Sequence, residues 1–385
     1  MKFLVLGSGL MGSALAFDLA RSKNVEKVTL ADADLLRAEQ AAHKIGSPTV
    51  VPMNLDVTMI DSVVDAMKQH DCVISAVSYR YNSILTKAAI AARVHFCDLG
   101  GNDEVVHHQL SLDAEARKAN VLIVPNCGLA PGMANVLAAR GAELFESLDS
   151  VELRVGGLPQ HPRPPFNYQL VFSVEGLINE YSGTSTVIRN GKVTQVETLT
   201  EIETVAFPEP PGTLEAFHTS GGSSLLPAMF EGKVHHLDYK TLRYPGHCEK
   251  FKALLDLGFA SSEPITIGSN LLTAKEFFFE LLKRKLDSGG KDLVVLRIRI
   301  SGRRGGRRQA LTFELIDFYD EIDNITAMMR TTSFPTSIIA HMIVQGNITT
   351  RGVVAPELFV PLAPFVRELA DRNIRITQSW MEIAG

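Results

Sequence analysis

The sequence predicts an α/β fold: an N-terminal doubly wound parallel sheet, followed by an α+β domain with a mostly antiparallel sheet. Three observations lead there. Short apolar β-runs alternate with helical stretches over the first 125 residues, the pattern of βα units with helices on both faces of a parallel sheet. The first run ends in the glycine-rich turn Gly7-Ser8-Gly9-Leu10-Met11-Gly12. After Gly128 the alternation stops, and β-runs joined by hairpin signals take over.

Each part of the first segment has its own physical task. Lys2-Phe3-Leu4-Val5-Leu6 is an apolar strand. Gly7 allows the tight strand-to-helix turn, Gly9 lets backbone N–H groups approach a pyrophosphate, and Gly12 lets the helix over 13–20 pack on the strand. That helix aims its positive end at the phosphates, with Ser8, Leu10 and Met11 completing the loop. A second run, Val28-Thr29-Leu30-Ala31, delivers Asp32 twenty residues after Gly12, where an acid meets the ribose hydroxyls of a dinucleotide. A carboxylate there repels a 2′-phosphate, and no cation follows before Arg37. NAD is therefore expected rather than NADP, on a Rossmann domain.

The other β-runs of this domain fall at 49–51, 72–76, 95–97 and 121–124, with helices at 35–45, 60–69, 83–92 and 105–119. The NAD-binding domain is expected over 1–128 and the α+β domain over 129–335, with 336–385 packing back onto the first. In the second domain 151–156 and 184–189 read as strands, and Asn190-Gly191 is a two-residue hairpin turn into 192–196. The run 293–301 alternates cleanly, and 310–318 is its hairpin partner. Helices are expected over 274–285, 337–345 and 361–371, whereas 159–165 holds four prolines and reads as a loop. The last 30 residues carry no diagnostic motif.

At 385 residues the chain is long enough for two cored domains. A net charge of −5 gives no general attraction to nucleic acid or anionic membrane. The basic cluster Arg303-Arg304-Gly305-Gly306-Arg307-Arg308 reads as a solvated hairpin tip. No apolar run nears the ~18 residues of a membrane span, and the immediate first strand predicts no signal peptide. Cys72, Cys97, Cys127 and Cys248 are scattered and read as small apolar residues in a reducing compartment, so a cytoplasmic protein is expected. No zinc-type spacing occurs, and no metal is expected.

Ligands of open α/β sheets bind beyond the carboxyl ends of the strands. Strand four ends in Ser75-Ala76-Val77-Ser78-Tyr79, where Ala76 and Val77 let a cofactor ring approach. Strand five ends in Asp98-Leu99-Gly100-Gly101. Strand six runs into 126–135, a second glycine- and proline-rich helix start, whose Gly128 and free N–H groups are expected to face the nicotinamide half.

The glycine-rich turn, Asp98-Leu99-Gly100-Gly101, Gly128-Leu129-Ala130-Pro131-Gly132-Met133 and Tyr239-Lys240-Thr241-Leu242-Arg243-Tyr244-Pro245-Gly246-His247 together resemble the saccharopine dehydrogenase-like family, from residue 1 to past 250. Within it, residues 156–159, 172–177 and 215–222 are most similar to the lysine 6-dehydrogenase branch. The resemblance implies oxidation at a carbon bearing nitrogen. For that branch it implies NAD-dependent oxidative deamination of L-lysine at the ε-carbon, to the 6-semialdehyde and ammonia. Saccharopine-forming reductases resemble the chain around Phe172-Ser173 but carry a basic residue where Glu175 stands. An acid there repels a glutamate moiety and attracts an ammonium group.

Such a reaction requires a base or dry pocket to neutralise an ε-amine of pKa about 10.4, a cation for the α-carboxylate and an acceptor for the α-ammonium. Asp98, Glu175 and His218 are the candidate acid/base or ammonium-binding groups. Arg243 is the carboxylate anchor, because a planar fork suits carboxylate, and Lys240 is a second cation or proton-transfer group. The base itself stays unassigned. Two rivals stay open: a saccharopine or carboxynorspermidine dehydrogenase-type reductive condensation, and a non-catalytic NAD(H)-binding regulator. The expected partners are an amino-acid substrate, bound in a cleft between the domains, and further copies of the chain, because an apolar sheet face in the second domain suits a homo-oligomer.

Overall fold

A computed structural model describes residues 1–286 and 289–383. Residues 287–288 and 384–385, inside the expected ranges 129–335 and 336–385, lie outside the described residues. In chain order the strands are β1 (Lys2–Leu6), β2 (Lys27–Asp32), β3 (Val50–Asn54), β4 (Cys72–Ser75), β5 (His95–Asp98), β6 (Leu122–Val124), β7 (Ser147–Pro159), β8 (Thr184–Arg189), β9 (Lys192–Glu197), β10 (Glu203–Ala206), β11 (Thr213–His218), β12 (His236–Arg243), β13 (Pro264–Ile267), β14 (Asn270–Thr273), β15 (Asp292–Arg304), β16 (Arg307–Phe318), β17 (Gly352–Val353) and β18 (Thr377–Glu382). The α-helices are α1 (Leu10–Arg21), α2 (Leu35–Ile45), α3 (Ile60–Met67), α4 (Asn82–Ala92), α5 (Asp103–Leu110), α6 (Asp113–Lys118), α7 (Met133–Ala142), α8 (Val174–Glu180), α9 (Leu226–Phe230), α10 (His247–Asp256), α11 (Ala274–Leu286), α12 (Ala327–Val344) and α13 (Leu362–Asp371).

The chain divides into two compact units. The first comprises Met1–Phe145, Ser224–Leu226 and Met329–Ile376, around a parallel sheet of order β17-β6-β5-β4-β1-β2-β3. This is the expected doubly wound order, with β17 added beside β6. Phe3, Leu4, Val5 and Leu6 are all fully buried, as a strand covered by helices on both faces must be. Leu6 is in register with Ala31 and Ser75, so Gly7, Asp32 and Ala76 emerge together at the carboxyl ends of β1, β2 and β4.

Helix α1 is tied to the end of the chain by a buried ion pair. Arg372 Nε donates to both Asp18 oxygens, at 2.8 and 2.9 Å, and the Ser337 hydroxyl donates to Oδ2. Burial pushes the Asp18 carboxyl up in pKa against the opposing pull of Arg372.

The second unit comprises Glu146–Ser223, Pro227–Met328 and the chain from Thr377 onward. Its sheet runs β10-β11-β12-β7-β15-β16-β18, with β8 and β9 joined through β12. Among the described residues only β7 and β12 of this sheet pair in parallel, so it is mostly antiparallel as expected. Asn190 and Gly191, like Gly305 and Gly306, have positive φ at both turn positions, which matches strand twist in a two-residue hairpin. Two arginines of the basic tip have acidic partners, Arg308 with Asp149 at 2.9 Å and Arg307 with Glu382 at 2.7 Å, and Arg304 lies 4.3 Å from the Trp380 ring.

Four expectations change. The helix expected over 105–119 is α5 and α6, because the break at Ser111-Leu112 turns Leu112 into the core beside Ala116. The helix expected from 337 starts at Ala327, whose N–H and that of Met328 are accepted by the buried Asp292 carboxylate at 2.7 and 2.9 Å, and it accommodates Pro335. The boundary expected at 128 falls after Phe145, since α7 is buried within the first unit. Finally, β18 does not pack back on the first unit but pairs with β16, fastened by Trp380 and Glu382. Among the described residues no helix is long and apolar enough to cross a membrane.

Arg372→Met leaves the Asp18 carboxylate buried and unpaired, and is expected to cost about 3–5 kcal/mol. Adding Asp18→Leu removes the stranded charge and should restore most of the loss. Urea unfolding midpoints of the two variants check both outcomes.

Candidate active site

At the carboxyl end of the parallel sheet, Gly7 adopts φ +95°, and a Cβ there would meet Ala76 O at 2.9 Å and Val77 Cγ1 at 3.0 Å. A Cβ on Gly12 would lie 1.8 Å from Gly7 O, so helix and turn can approach only because both residues are glycine. The space before Gly9 is open, with no atom within 4 Å of a Cβ, and α1 has no side-chain cap. Leu10 is exposed at the helix start, and the Met11 carbonyl accepts from the Ser333 hydroxyl. Ser8 donates twice to Asp32 Oδ2, from N and Oγ at 2.8 Å each, while Asp34 N donates to Oδ1 at 3.0 Å. Burial raises the Asp32 pKa, but these bonds, with Arg37, outweigh it and hold the carboxyl below its ordinary value. An uncapped helix start, an open glycine and an oriented carboxylate fit a dinucleotide's pyrophosphate and ribose.

Asp98 and Gly128 have different surroundings from those expected. Asp98 is fully buried; Oδ1 accepts from Gly100 N at 2.8 Å and Asn126 N at 3.3 Å, and Oδ2 from Gln109 Nε2 at 2.7 Å. Burial raises its pKa against these donors. It braces the turns after β5 and β6. A Cβ on Gly128 would meet Leu99 O at 3.1 Å and Pro131 O at 3.4 Å, so protein backbone fills its surroundings. Nor are the first N–H groups of α7 free: Met133 N donates to Gly128 O, Ala134 N to Leu129 O, and Gly132 N to the Asn135 side chain. The loop caps itself, which removes the reason to assign it to a cofactor.

In the second unit, the other candidates separate onto two faces of β12. Successive side chains of a strand alternate, so Asp238 and Lys240 share one face, and Tyr239, Thr241 and Arg243 share the other. On the first face lies a closed charge network. Arg154 pairs with Glu203 and with Asp238 at 2.7 Å, and Lys240 Nζ donates to Glu201 O at 2.7 Å and reaches Glu203 at 3.4 Å. His218, fully buried, places Nε2 3.1 Å from Glu201 and Nδ1 3.3 Å from Tyr239 O, and burial lowers its pKa. Both Lys240 and His218 are therefore consumed by protein partners.

Arg243, on the opposite face, is 3% exposed and forms no salt bridge among the described residues. Its Nε donates to Tyr181 Oη at 2.9 Å, and its Nη1 to Leu242 O at 2.9 Å. Since His247 Nδ1 must donate to Phe166 O at 3.0 Å, its Nε2 accepts from Tyr181 Oη at 2.9 Å. Burial, then Arg243, pushes His247 down to about 3, so it stays neutral and the relay runs Arg243 to Tyr181 to His247 to Phe166 O. The His247 ring stacks on Phe251 at 4.6 Å. The Tyr168 ring lies 4.9 Å from the guanidinium; its buried hydroxyl has no hydrogen bond of ordinary geometry, and burial pushes it up to about 12.

The expected acid of this segment, Glu175, is half-buried in the first turn of α8 and has a partner of its own. The carboxylate whose charge acts on Arg243 is that of Glu180, half-buried at the end of α8 beside Tyr181; burial pushes it up to about 7 against the opposing Arg243 charge. Five helical residues separate the two acids, about 7.5 Å along the axis and about 140° around it. Glu180, Tyr168 and Tyr181 were missed because their common feature is proximity to Arg243. The odd spacing of Lys240 and Arg243 within one strand was the available signal that they point apart.

Lys240→Met opens the closed network and is expected to lower the unfolding temperature while leaving the KM for an amino-acid substrate within about twofold, because the cost falls on buried partners left unpaired. A differential scan beside steady-state kinetics checks this.

Comparison with known proteins agrees with this architecture. The model of the saccharopine dehydrogenase NADP binding domain matches residues 3–124, and that of the saccharopine dehydrogenase C-terminal domain matches 128–374. The chain is 23% identical to the saccharopine dehydrogenase [NADP(+), L-glutamate-forming] of Schizosaccharomyces pombe, covering 98% of each. It is 24% identical to the mitochondrial alpha-aminoadipic semialdehyde synthase of Rattus norvegicus over 99% of this chain, but spans only 48% of that protein's length. The apo structure of saccharopine dehydrogenase (L-Glu forming) from Saccharomyces cerevisiae has the same fold, with a TM-score of 0.80, 20% identity and 99% of each chain covered. With both family models matched along almost its whole length, the chain belongs to the saccharopine dehydrogenase family of oxidoreductases.

Proposed function

We propose that this protein catalyses the NAD-dependent oxidative deamination of L-lysine at the ε-carbon, giving the 6-semialdehyde and ammonia. The observation that carries this reading is the buried Arg243 guanidinium with no carboxylate paired to it. Such a charge is costly to enclose unless a ligand anion completes it, and an α-carboxylate matches the planar fork. Tyr181 and Leu242 O fix the fork, and the neutral His247 keeps Tyr181 turned toward it.

The loop Gly7–Gly12 with Asp32 holds the dinucleotide, whose nicotinamide supplies the hydride acceptor when bound. Ala76 and Val77 flank that loop. The substrate's ε-amine, with an ordinary pKa of about 10.4, must be neutral for hydride to leave its carbon. Water then converts the resulting imine to aldehyde and ammonia. The Schizosaccharomyces pombe relative carries NADP(+) in its name, whereas Asp32 here is an oriented anion that repels a 2′-phosphate. Four buried free thiols suit a reducing, cytoplasmic setting, and the exposed apolar side chains Ile267, Leu271 and Phe277 suit a homo-oligomer.

A second reading is saccharopine-type reductive condensation, which family membership and the named relatives favour. Lysine plus NAD alone yields NADH only under the first reading, so that assay decides between them. Binding of NADH without turnover of lysine or saccharopine would point to a non-catalytic regulator.

Two substitutions test the assignments. Asp32→Ser should raise the KM for NAD and relax discrimination against NADP. An unchanged NAD:NADP ratio of kcat/KM removes Asp32 from the role. Arg243→Leu should raise the KM for lysine with NADH binding intact. Losing a charge-assisted pair is worth about 1.5–3 kcal/mol, roughly tenfold to more than a hundredfold in kcat/KM.

A further inference from the structure

Glu180 ends α8, and among the described residues its carboxylate makes no hydrogen bond and no ion pair. It directly precedes Tyr181, whose hydroxyl holds Arg243 Nε at 2.9 Å, and its charge acts on Tyr168, Tyr181, Tyr239 and Arg243. A buried cation and a half-buried anion this near in one fold would ordinarily meet. Here both are anchored apart. Arg243 is fastened to Tyr181 Oη and Leu242 O, and the end of α8 is fastened by Ser220, whose N donates to Glu180 O at 2.8 Å and whose hydroxyl donates to Asn179 O at 2.9 Å. The Tyr168 hydroxyl, on a residue 5% exposed, lies in the same cluster without a hydrogen bond of ordinary geometry. A buried cation without an ion pair among the described residues, a buried hydroxyl and a half-buried carboxylate thus belong to neighbouring residues of one unit.

We propose that Glu180 receives the α-ammonium group of the substrate, so that Arg243 and Glu180 together read the zwitterionic end of an α-amino acid and the Tyr168 hydroxyl completes its hydrogen bonds. This rests on Arg243 being the carboxylate anchor. It adds a requirement that Arg243 alone does not impose: the substrate must carry carboxylate and ammonium on one carbon. The groups facing Glu180 are Arg243 and Tyr239 from β12, Tyr181 from its own helix and Tyr168 from the preceding segment, with His247 from α10 behind Tyr181. Of these only Glu180, near 7, changes charge around neutrality, since Arg243 and the tyrosines titrate above that range and His247 below it.

The test is calorimetric binding of L-lysine and of 6-aminohexanoate, which keeps the carboxylate and ε-amine but lacks the α-ammonium, to the NADH-loaded protein. Glu180→Gln should weaken lysine at least about tenfold and leave 6-aminohexanoate within about twofold, because only lysine loses a charge-assisted bond. In the wild type, lysine affinity should fall about tenfold per pH unit below 7, with 6-aminohexanoate flat. This pH comparison needs no variant and stands even if Glu180→Gln does not fold. Equal loss for both ligands, no loss for either, or parallel pH profiles would overturn the assignment. Arg243→Leu separates the two levels. If it weakens both ligands while Glu180→Gln weakens neither, only the Glu180 role falls. If it weakens neither, or if lysine does not bind the wild type, the carboxylate reading falls and the zwitterion pair with it.

Discussion

A guanidinium buried without a counter-carboxylate is the constraint around which the second unit is arranged. Taking such a charge out of water costs several kcal/mol unless neighbours replace its hydration. Arg243 receives that replacement piecemeal: a hydroxyl on Nε, a carbonyl on Nη1, and the faces of Tyr168 and Tyr181 at 4.9 and 5.8 Å. Tyr181 can accept from Arg243 because its own proton goes to His247, and His247 can accept because its other nitrogen donates to Phe166 O. The relay thus commits β12, α8, α10 and the segment before α8 to one geometry.

The first unit solves the opposite problem, an anion held ready. Asp32 is pre-oriented by Ser8 on one oxygen and Asp34 N on the other, at the half-buried end of a parallel strand whose middle is buried. Asp98, only one strand beyond β4, shows the contrast. Its oxygens are likewise taken, by Gly100, Asn126 and Gln109, but Asp98 is fully buried where Asp32 is half-buried at its strand end, so Asp98 shapes turns. Lys240 and Arg243 differ instead in their partners: Lys240 has Glu203 and the Glu201 carbonyl, whereas Arg243 has no ion pair among the described residues.

Much of the fold was legible in the sequence because its signals are local. The Gly7–Gly12 turn, the two-residue hairpin at Asn190-Gly191, the hairpin tip over 303–308 and the βα alternation each depend on a few adjacent residues. Long-range pairing was not legible: β18 joins β16 across about sixty residues, through Trp380 and Glu382. For the site, Arg243 stood out as a candidate, but its neighbours did not, since residue 168, the pair 180–181 and residue 247 come from separate segments. In α8 it is Glu180, next to Tyr181, whose charge acts on Arg243. The strand phase of β12 sends Lys240 away from it. Gly128 looked like a cofactor cradle because its loop is glycine-rich, yet the glycine is needed there for packing against Leu99 O.

The central claim is that the buried guanidinium of Arg243 exists to be met by a substrate carboxylate. The most direct measurement compares wild-type kcat/KM at saturating NAD for L-lysine and for cadaverine, which differs from lysine only by loss of the carboxyl group. The account predicts that cadaverine is poorer by roughly tenfold to more than a hundredfold, the worth of a charge-assisted pair. Equal kcat/KM for the two amines would contradict it.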